Sequence, residues 1–430
     1  MLTQHPDLHR ELDPDGHERI WVSGRLAVRM FLLFAAAYML SYAYRAINAV
    51  IAQPLVQELS LSAGQLGLLA SAYFLAFAVM QLPVGVMLDR YGPRRVEAVL
   101  VCVAALGALV FAAADSFTGL WVGRALIGVG VSACLMAAIK AYSLYFKPHM
   151  QASMSSWMLT AGSLGALTVT TPVEALLPHL GWRGVFVASA VLCVASAASL
   201  WFAMPALFKP QKAESLSEMA AGFRTIFRHP HFWRVAPMAT VLQGGFMAYQ
   251  GLWVGPWFTD VVGLSNHQAA INMFWISAAL MLGYLVVGTA TRRMSKAGKD
   301  EDLILVVGMG LALAIFGVQL LLGKQSSLWV WLVHGLMTAT SVMTYTTCNK
   351  PFSRHLTGRS STALNLMIFV GAFSIQWGIG LGIDALMALG LGRADAMRGS
   401  LGLLLAGQVA SWLWFIRPGR ALSHLQMPVR

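Results

Sequence analysis

The sequence predicts an all-α membrane protein of two six-helix bundles related by pseudo-twofold symmetry, and three observations predict it. Of 430 residues 57% are hydrophobic and only 11% charged, where a soluble domain carries about 25% charged residues. Apolar stretches of about 20 residues, enough to cross about 30 Å of hydrocarbon as a helix, recur down the whole chain. A hydrophilic interruption at 205–234 divides them into two equal sets.

Twelve spans are expected, at 28–51, 64–87, 96–114, 119–141, 152–175, 183–204, 236–259, 268–290, 303–322, 328–349, 361–384 and 399–416. A tail (1–27) precedes the first bundle (28–204); the linker (205–234) leads to the second bundle (235–417) and a closing tail (418–430). The first tail lacks the short apolar core of a secretory signal, so span one is expected to stay attached as an anchor. The net charge of +12 would suit nucleic acid only if gathered on a soluble domain. Instead Arg183, Lys324, Arg393 and Arg398 fall between spans on one side, Arg45, Arg124 and Lys140 inside spans, and the other basic residues on the opposite side. The positive-inside rule then puts both termini in the cytoplasm and the chain in a cytoplasmic or inner membrane, with lipid and a small molecule as partners and no nucleic acid. Cys102, Cys134, Cys193 and Cys348 are scattered through spans, so neither metal nor disulfide is expected; no cofactor is called for, and a monomer suffices.

The halves repeat. Pro54, Leu61, Ser62, Gln65, Gly85 and Arg90 recur 202 to 203 residues later as Pro256, Leu264, Ser265, Gln268, Gly288 and Arg293, as in parallel repeats about an axis normal to the membrane. In the linker, Ser215 and Glu218 read as a capping box, and Met219, Phe223, Ile226 and Phe227 follow at helical spacing. That pattern fits a short helix on the membrane surface or a disordered basic connector.

Between spans two and three, Gly85 to Arg95 holds four charges and a proline. Arg90, Arg94 and Arg95 suit a cytoplasmic turn, but acids contribute little to topology, so Asp89 calls for another role. A carboxylate there belongs beside a cation or at the positive end of a helix. With Gly85, Asp89, Arg90, Gly92, Arg94 and Arg95 in place, the turn resembles the G-x-x-x-D-R-x-G-x-R-R signature of the major facilitator superfamily. Arg124, Gly128 and Gly130 are similar to its R-x-x-x-G-x-G element in span four. The second-half counterpart departs from the pattern, with Arg292 where the acid would stand. The resemblance implies alternating access, in which two bundles rock about a midplane site and the Asp89 turn gates one side.

Charges inside spans generally face a cavity. Arg45 and Arg124 lie at similar depth, without a deep carboxylate beside them, and an anion would satisfy such guanidiniums by bidentate hydrogen bonds; a structural arginine bonded to backbone carbonyls is the alternative. Tyr38, Tyr42, Arg45 and Asn48 share one face of span one, and Gln243, Gln250 and Trp253 form a stripe in span seven, Gln250 matching Asn48 by the repeat. Tyr345, Asn349, Asn365 and Gln376 could extend the second-half wall. Lys140 reads as an anchor or entry-path charge at the inner end of span four. His334 in span ten is a candidate proton carrier. Tyr44 to Asn48 resembles span one of organic-anion and sugar-phosphate carriers in the same superfamily, which also carry an arginine there, although span seven lacks a second arginine. The expectation is a secondary carrier of a small organic anion, by proton symport or anion exchange. An efflux carrier of amphipathic compounds and a non-transporting receptor are the alternatives, and no catalytic motif points to an enzyme.

Overall fold

The computed structural model describes residues 7–12, 18–208 and 216–417. Its helices are α1 (Gly24–Ala46), α2 (Asn48–Leu59), α3 (Ala63–Tyr91), α4 (Pro93–Ala113), α5 (Phe117–Val131), α6 (Cys134–Tyr145), α7 (Pro148–Thr168) and α8 (Thr171–Ala203) in the first half. After the linker come α9 (Leu216–Arg228), α10 (Pro230–Ala248), α11 (Val254–Pro256), α12 (Asn266–Lys296), α13 (Asp302–Leu322), α14 (Leu328–Thr338), α15 (Met343–Asn349), α16 (Arg354–Ala388) and α17 (Arg393–Ile416). α1 with α2 forms span one and α5 with α6 span four; α10, α11 and two π-helical turns (Tyr249–Trp253 and Trp257–Val262) form span seven, and α14 with α15 span ten.

Among the described residues, nine helices, with α5 and α6 taken as one, are long and apolar enough to cross a membrane. The other three expected spans fall on α7, on the interrupted span seven and on the interrupted span ten. α7 is rich in Ser and Thr, and the other two are broken into shorter pieces by π or 3-10 turns. Such irregularities in a helix often mark functional positions.

Two features differ from expectation. The first tail is partly folded: β1 (Leu8–Leu12) and β2 (Glu18–Val22) pair antiparallel, and β2 packs on α6. Helix α1 therefore begins at Gly24, before the expected 28, with the Asp7 carboxylate accepting from Leu26 N–H at 3.2 Å. The linker does contain a helix, α9, whose Ile226 is buried in the second-half core with Phe223 and Phe227 packed alongside. Ser215 of the expected capping box lies outside the described residues.

We call the side carrying the Gly85–Arg95 turn the turn face, and the opposite side the far face. The repeated residues have a common physical meaning at the far face. Ser62 and Gln65 form a reciprocal capping box at the start of α3, and Ser265 and Gln268 make the same pair of bonds at the start of α12. Pro54 and Pro256 sit within α2 and α11, near the far-face ends of spans one and seven.

The far face is closed between the halves. Asp384 at the end of α16 accepts from Ser62 Oγ (2.8 Å), Ala63 N–H (3.0 Å) and Gly64 N–H (2.7 Å), a carboxylate seated on the positive end of α3. His267 of the second half bonds Glu174 of the first at 2.9 Å. Gly255 lies against the Ala49 carbonyl, where any Cβ would clash, so glycine permits spans one and seven to cross there. A vestibule of about 490 Å³, lined by Gln53, Gln57, Thr259 and Arg393 among others, remains on the far side of this crossing.

Arg124 organises span one from within the first half. Fully buried, it donates to the Tyr44 carbonyl at 3.2 Å and to Asn48 Oδ1, spanning the point where α1 gives way to α2. Phe111 and Phe186 cover its guanidinium at 4.9 and 5.2 Å.

Two outcomes follow from these contacts. Asp384→Ala removes charge-assisted bonds across the far face, so a cysteine at Ala46 should react about tenfold faster with a maleimide applied from that face. Arg124→Gln should destabilise the fold by about 3 kcal/mol, read as a lower thermal midpoint in detergent. Adding Asn48→Ala to it should cost little more, because the two changes remove one shared contact.

Candidate substrate-binding site

Between the halves lies a cavity of about 80 Å³, lined by Tyr42 and Arg45 from span one, Ser163 from span five, Gln243, Gln250 and Gly251 from span seven, Ser277 and Tyr284 from span eight and Ser341 from span ten. Each of the three spans that fall short in apolarity or length supplies polar wall: Ser163, the two glutamines and Ser341. The first π turn of span seven carries Gln250, which donates to Ser277 Oγ at 3.4 Å.

Arg45 is half-buried, makes no ion pair among the described residues, and its buried Nε has no hydrogen-bond partner. Aromatic rings flank its guanidinium: Tyr42 at 4.6 Å, Phe369 at 5.2 Å and Phe77 at 5.9 Å from the centroids. Phe77 and Phe369 stack on each other at 4.1 Å, one from each half. One helical turn nearer the turn face, Tyr345 donates to Asn365 Oδ1 (2.8 Å) and Asn365 donates to Gln81 Oε1 (2.8 Å), which ties α15 and α16 to α3. The cation therefore sits at the seam between the bundles, touching both.

The structure gathers part of the expected site and disperses the rest. Tyr42, Arg45, Gln243 and Gln250 line the cavity. Tyr38 stands behind Tyr42, edge-on at 5.0 Å. Arg124 and Asn48 do not join Arg45 but bond each other, so the expected convergence of two guanidiniums on one ligand is replaced by one braced and one open arginine. Trp253 is fully buried and donates to the Gln376 carbonyl at 3.0 Å, locking span seven to span eleven. Gln376 is buried with both amide atoms unpartnered, its Oε1 facing Gly251. Tyr345 and Asn365 form the turn-side closure, while Asn349 lies at the turn-face end of span ten and donates to Ser361 at 2.9 Å. His334 is buried, stacked on Phe316 at 5.3 Å and edge-on to Phe246, which separates it from the Arg45 cavity that Phe246 lines.

The charged turn stays within the first half in this conformation. Asp89 pairs with Lys140 at 2.8 Å, which gives that lysine a specific partner beyond the expected anchoring. Arg94 donates to the Trp201 carbonyl, Arg90 lies over Tyr91 at 5.3 Å, and Arg95 is exposed. Gly92 joins α3 to α4 at φ +81°, a conformation few other residues adopt, and Gly85 faces open space. The contact expected of Asp89 at a helix end is made at the far face by Asp384.

Sequence reasoning missed several residues. Ser277 and Tyr284 stand seven apart on span eight, a legible helical stripe. Phe77 and Phe369 carried no signal among so many apolar neighbours. Glu97 falls at the start of span three, where a charge ordinarily reaches water. It is fully buried, and neither carboxyl oxygen has a hydrogen-bond partner.

Comparison with known proteins agrees with this architecture. The chain is 27% identical over 285 residues to a probable nitrate/nitrite antiporter, NarK1, of Thermus thermophilus (62% of this chain, 63% of the relative). It is 25% identical over 301 residues to a probable L-galactonate transporter of Escherichia coli K12 (65% of each). These matches cover less than two thirds of those relatives' lengths. A gallate transporter of Pseudomonas putida is 26% identical over 382 residues, covering 81% of this chain and 82% of that one. Among solved structures, an inward-facing, unoccupied bacterial homologue of the human lysosomal transporter Spinster superposes with a TM-score of 0.75 at 19% identity, over 91% of this chain and 97% of that one. The Major Facilitator Superfamily model matches residues 31–375. With its multi-pass helical architecture and this match over most of its length, the chain belongs to the major facilitator superfamily.

Proposed function

We propose that the chain carries a small organic anion across a cytoplasmic (inner) membrane by alternating access, as a monomer with Arg45 as principal ligand. The observation that carries this reading is the state of Arg45: a guanidinium at the seam of the two bundles, without a carboxylate partner among the described residues. Such a group is costly in low dielectric until an anion neutralises it. An anion bound there draws in Tyr42 and Gln250 together, so binding favours closure of one half on the other. Relatives named for nitrate, L-galactonate and gallate support an anionic cargo.

The turn face, rich in Lys and Arg, is the cytoplasmic one on this reading, and both termini lie there. Gly85, Asp89, Arg90, Gly92, Arg94 and Arg95 serve the reverse closure, when Asp89 exchanges Lys140 for a partner in the second half.

Coupling to protons falls to Glu97 rather than His334. Glu97 interacts with Cys134 and Tyr142 of α6, and the Tyr142 hydroxyl lacks a hydrogen-bond partner. Because a buried charge without a counter-charge is costly, proton occupancy of Glu97 and its exposure to water are linked.

Proteoliposome flux tests both assignments. Arg45→Gln should reduce uptake of organic anions at least a hundredfold and remove their thermal stabilisation of the purified protein, while the unliganded midpoint stays within a few degrees. Retained uptake would overturn the anion assignment. Glu97→Gln should keep anion exchange at near wild-type rate and lose accumulation driven by a pH gradient; full accumulation would exclude Glu97 from coupling.

A further inference from the structure

A groove outside the transport pathway runs along the first half between α1 and α8 and encloses about 1080 Å³. Its α1 wall advances at helical spacing from Arg25 and Arg29 through Leu32, Ala36 and Leu40 to Ala43. Helix α8 supplies Leu192, Ala195, Ser196 and Ser199, and Thr168 of α7 marks the far end. Small side chains on both walls hollow the groove, which is apolar along its length and basic at one end.

Two features distinguish it from an ordinary lipid-facing surface. Arg25 and Arg29, one turn apart at the turn-face mouth, are exposed and make no ion pair among the described residues. Ser196 is nine-tenths buried, yet its hydroxyl has no hydrogen-bond partner. A helical serine commonly returns its hydroxyl to a carbonyl one turn back, as Ser189 does on the same helix, donating to Phe186 at 2.8 Å. Ser196 lies about 10 Å from the turn-face end of α8 at 1.5 Å per residue. The order from that face inward is thus two cations, an unused hydroxyl and an apolar trough.

We propose that this groove binds an anionic diacyl phospholipid. Its phosphate lies between Arg25 and Arg29, an ester carbonyl accepts from Ser196, and the acyl chains follow Leu32, Ala36, Leu40 and Leu192. Basic pockets between membrane helices select anionic headgroups through this charge complementarity. The occupant bears on transport because the two sites share one helix. Ala43 ends the groove and Arg45, two residues on, enters the central cavity.

Displacement of a fluorescent phosphatidylglycerol from the purified full chain in detergent tests the site. Unlabelled phosphatidylglycerol should compete roughly tenfold better than phosphatidylcholine, near what two arginines at the headgroup provide. Arg25→Gln with Arg29→Gln should bring the two lipids within about twofold of each other, and Arg29→Gln alone should fall between, which covers poor folding of the double variant. Ser196→Leu, which fills the trough, should weaken both lipids. Lys296→Gln with Lys299→Gln, at the same face but outside the groove, should leave the preference intact. Equal competition by the two lipids in the unaltered protein overturns the proposal. So does a preference that survives loss of Arg25 and Arg29, an equal loss in the Lys296 and Lys299 variant, or displacement by glycerol phosphate alone.

Discussion

The cost of holding a guanidinium in a low-dielectric interior organises the centre of this molecule. Two arginines enter the first bundle at similar depth, and the fold treats them in opposite ways. Arg124 receives a carbonyl, an amide oxygen and two aromatic walls, all from its own half. Arg45 receives rings from both halves and no acid among the described residues. The first arrangement braces span one from within the half, through both terminal nitrogens of the guanidinium, while its Nε stays without a partner as that of Arg45 does. The second leaves a positive charge at the seam between the bundles, beside the central cavity.

Around that centre the helices are irregular where the cavity needs polar wall. A straight apolar helix presents few groups capable of recognising a polar solute, and π turns re-aim side chains locally. Span seven uses this to set Gln250 against Ser277, while its Gly255 permits the close crossing with span one. Far-face closure relies on backbone dipoles more than on paired charges. Asp384 meets two N–H groups and a hydroxyl at the start of α3, so this contact between the halves needs no cation. The turn-face charges meanwhile remain with Lys140 and Trp201 in the first half, and on that side the halves are joined instead through Tyr345, Asn365 and Gln81.

Much of this was legible in advance, for reasons that differ by residue. Ser62 with Gln65 and Ser265 with Gln268 were visible as a repeat because a capping box needs only residues three apart. Tyr42, Arg45, Gln243 and Gln250 were visible because a polar stripe on an apolar helix has few solvated places to go. Glu97 was not recognised, since a charge near a span end ordinarily reaches water, and only the packing of α6 across it removes that route. The β1–β2 hairpin was missed because its strands are short and the tail polar, and its docking on α6 decides its structure.

By itself, then, the sequence determined that this chain is built of repeated apolar helical halves, because hydropathy, span length and capping are properties of short segments, while the likeness to a transporter superfamily rested on the motif of the Gly85–Arg95 turn. Tertiary structure alone decided which arginine is braced within its own half and which meets both halves, because the deciding partners lie on other helices, from Tyr44 and Asn48 for Arg124 to Phe369 for Arg45. It also decided that the carboxylate joining the halves at a helix end is Asp384, seated on the start of α3, while Asp89 stays with Lys140, since a helix end becomes an acceptor's partner only when another half is brought against it.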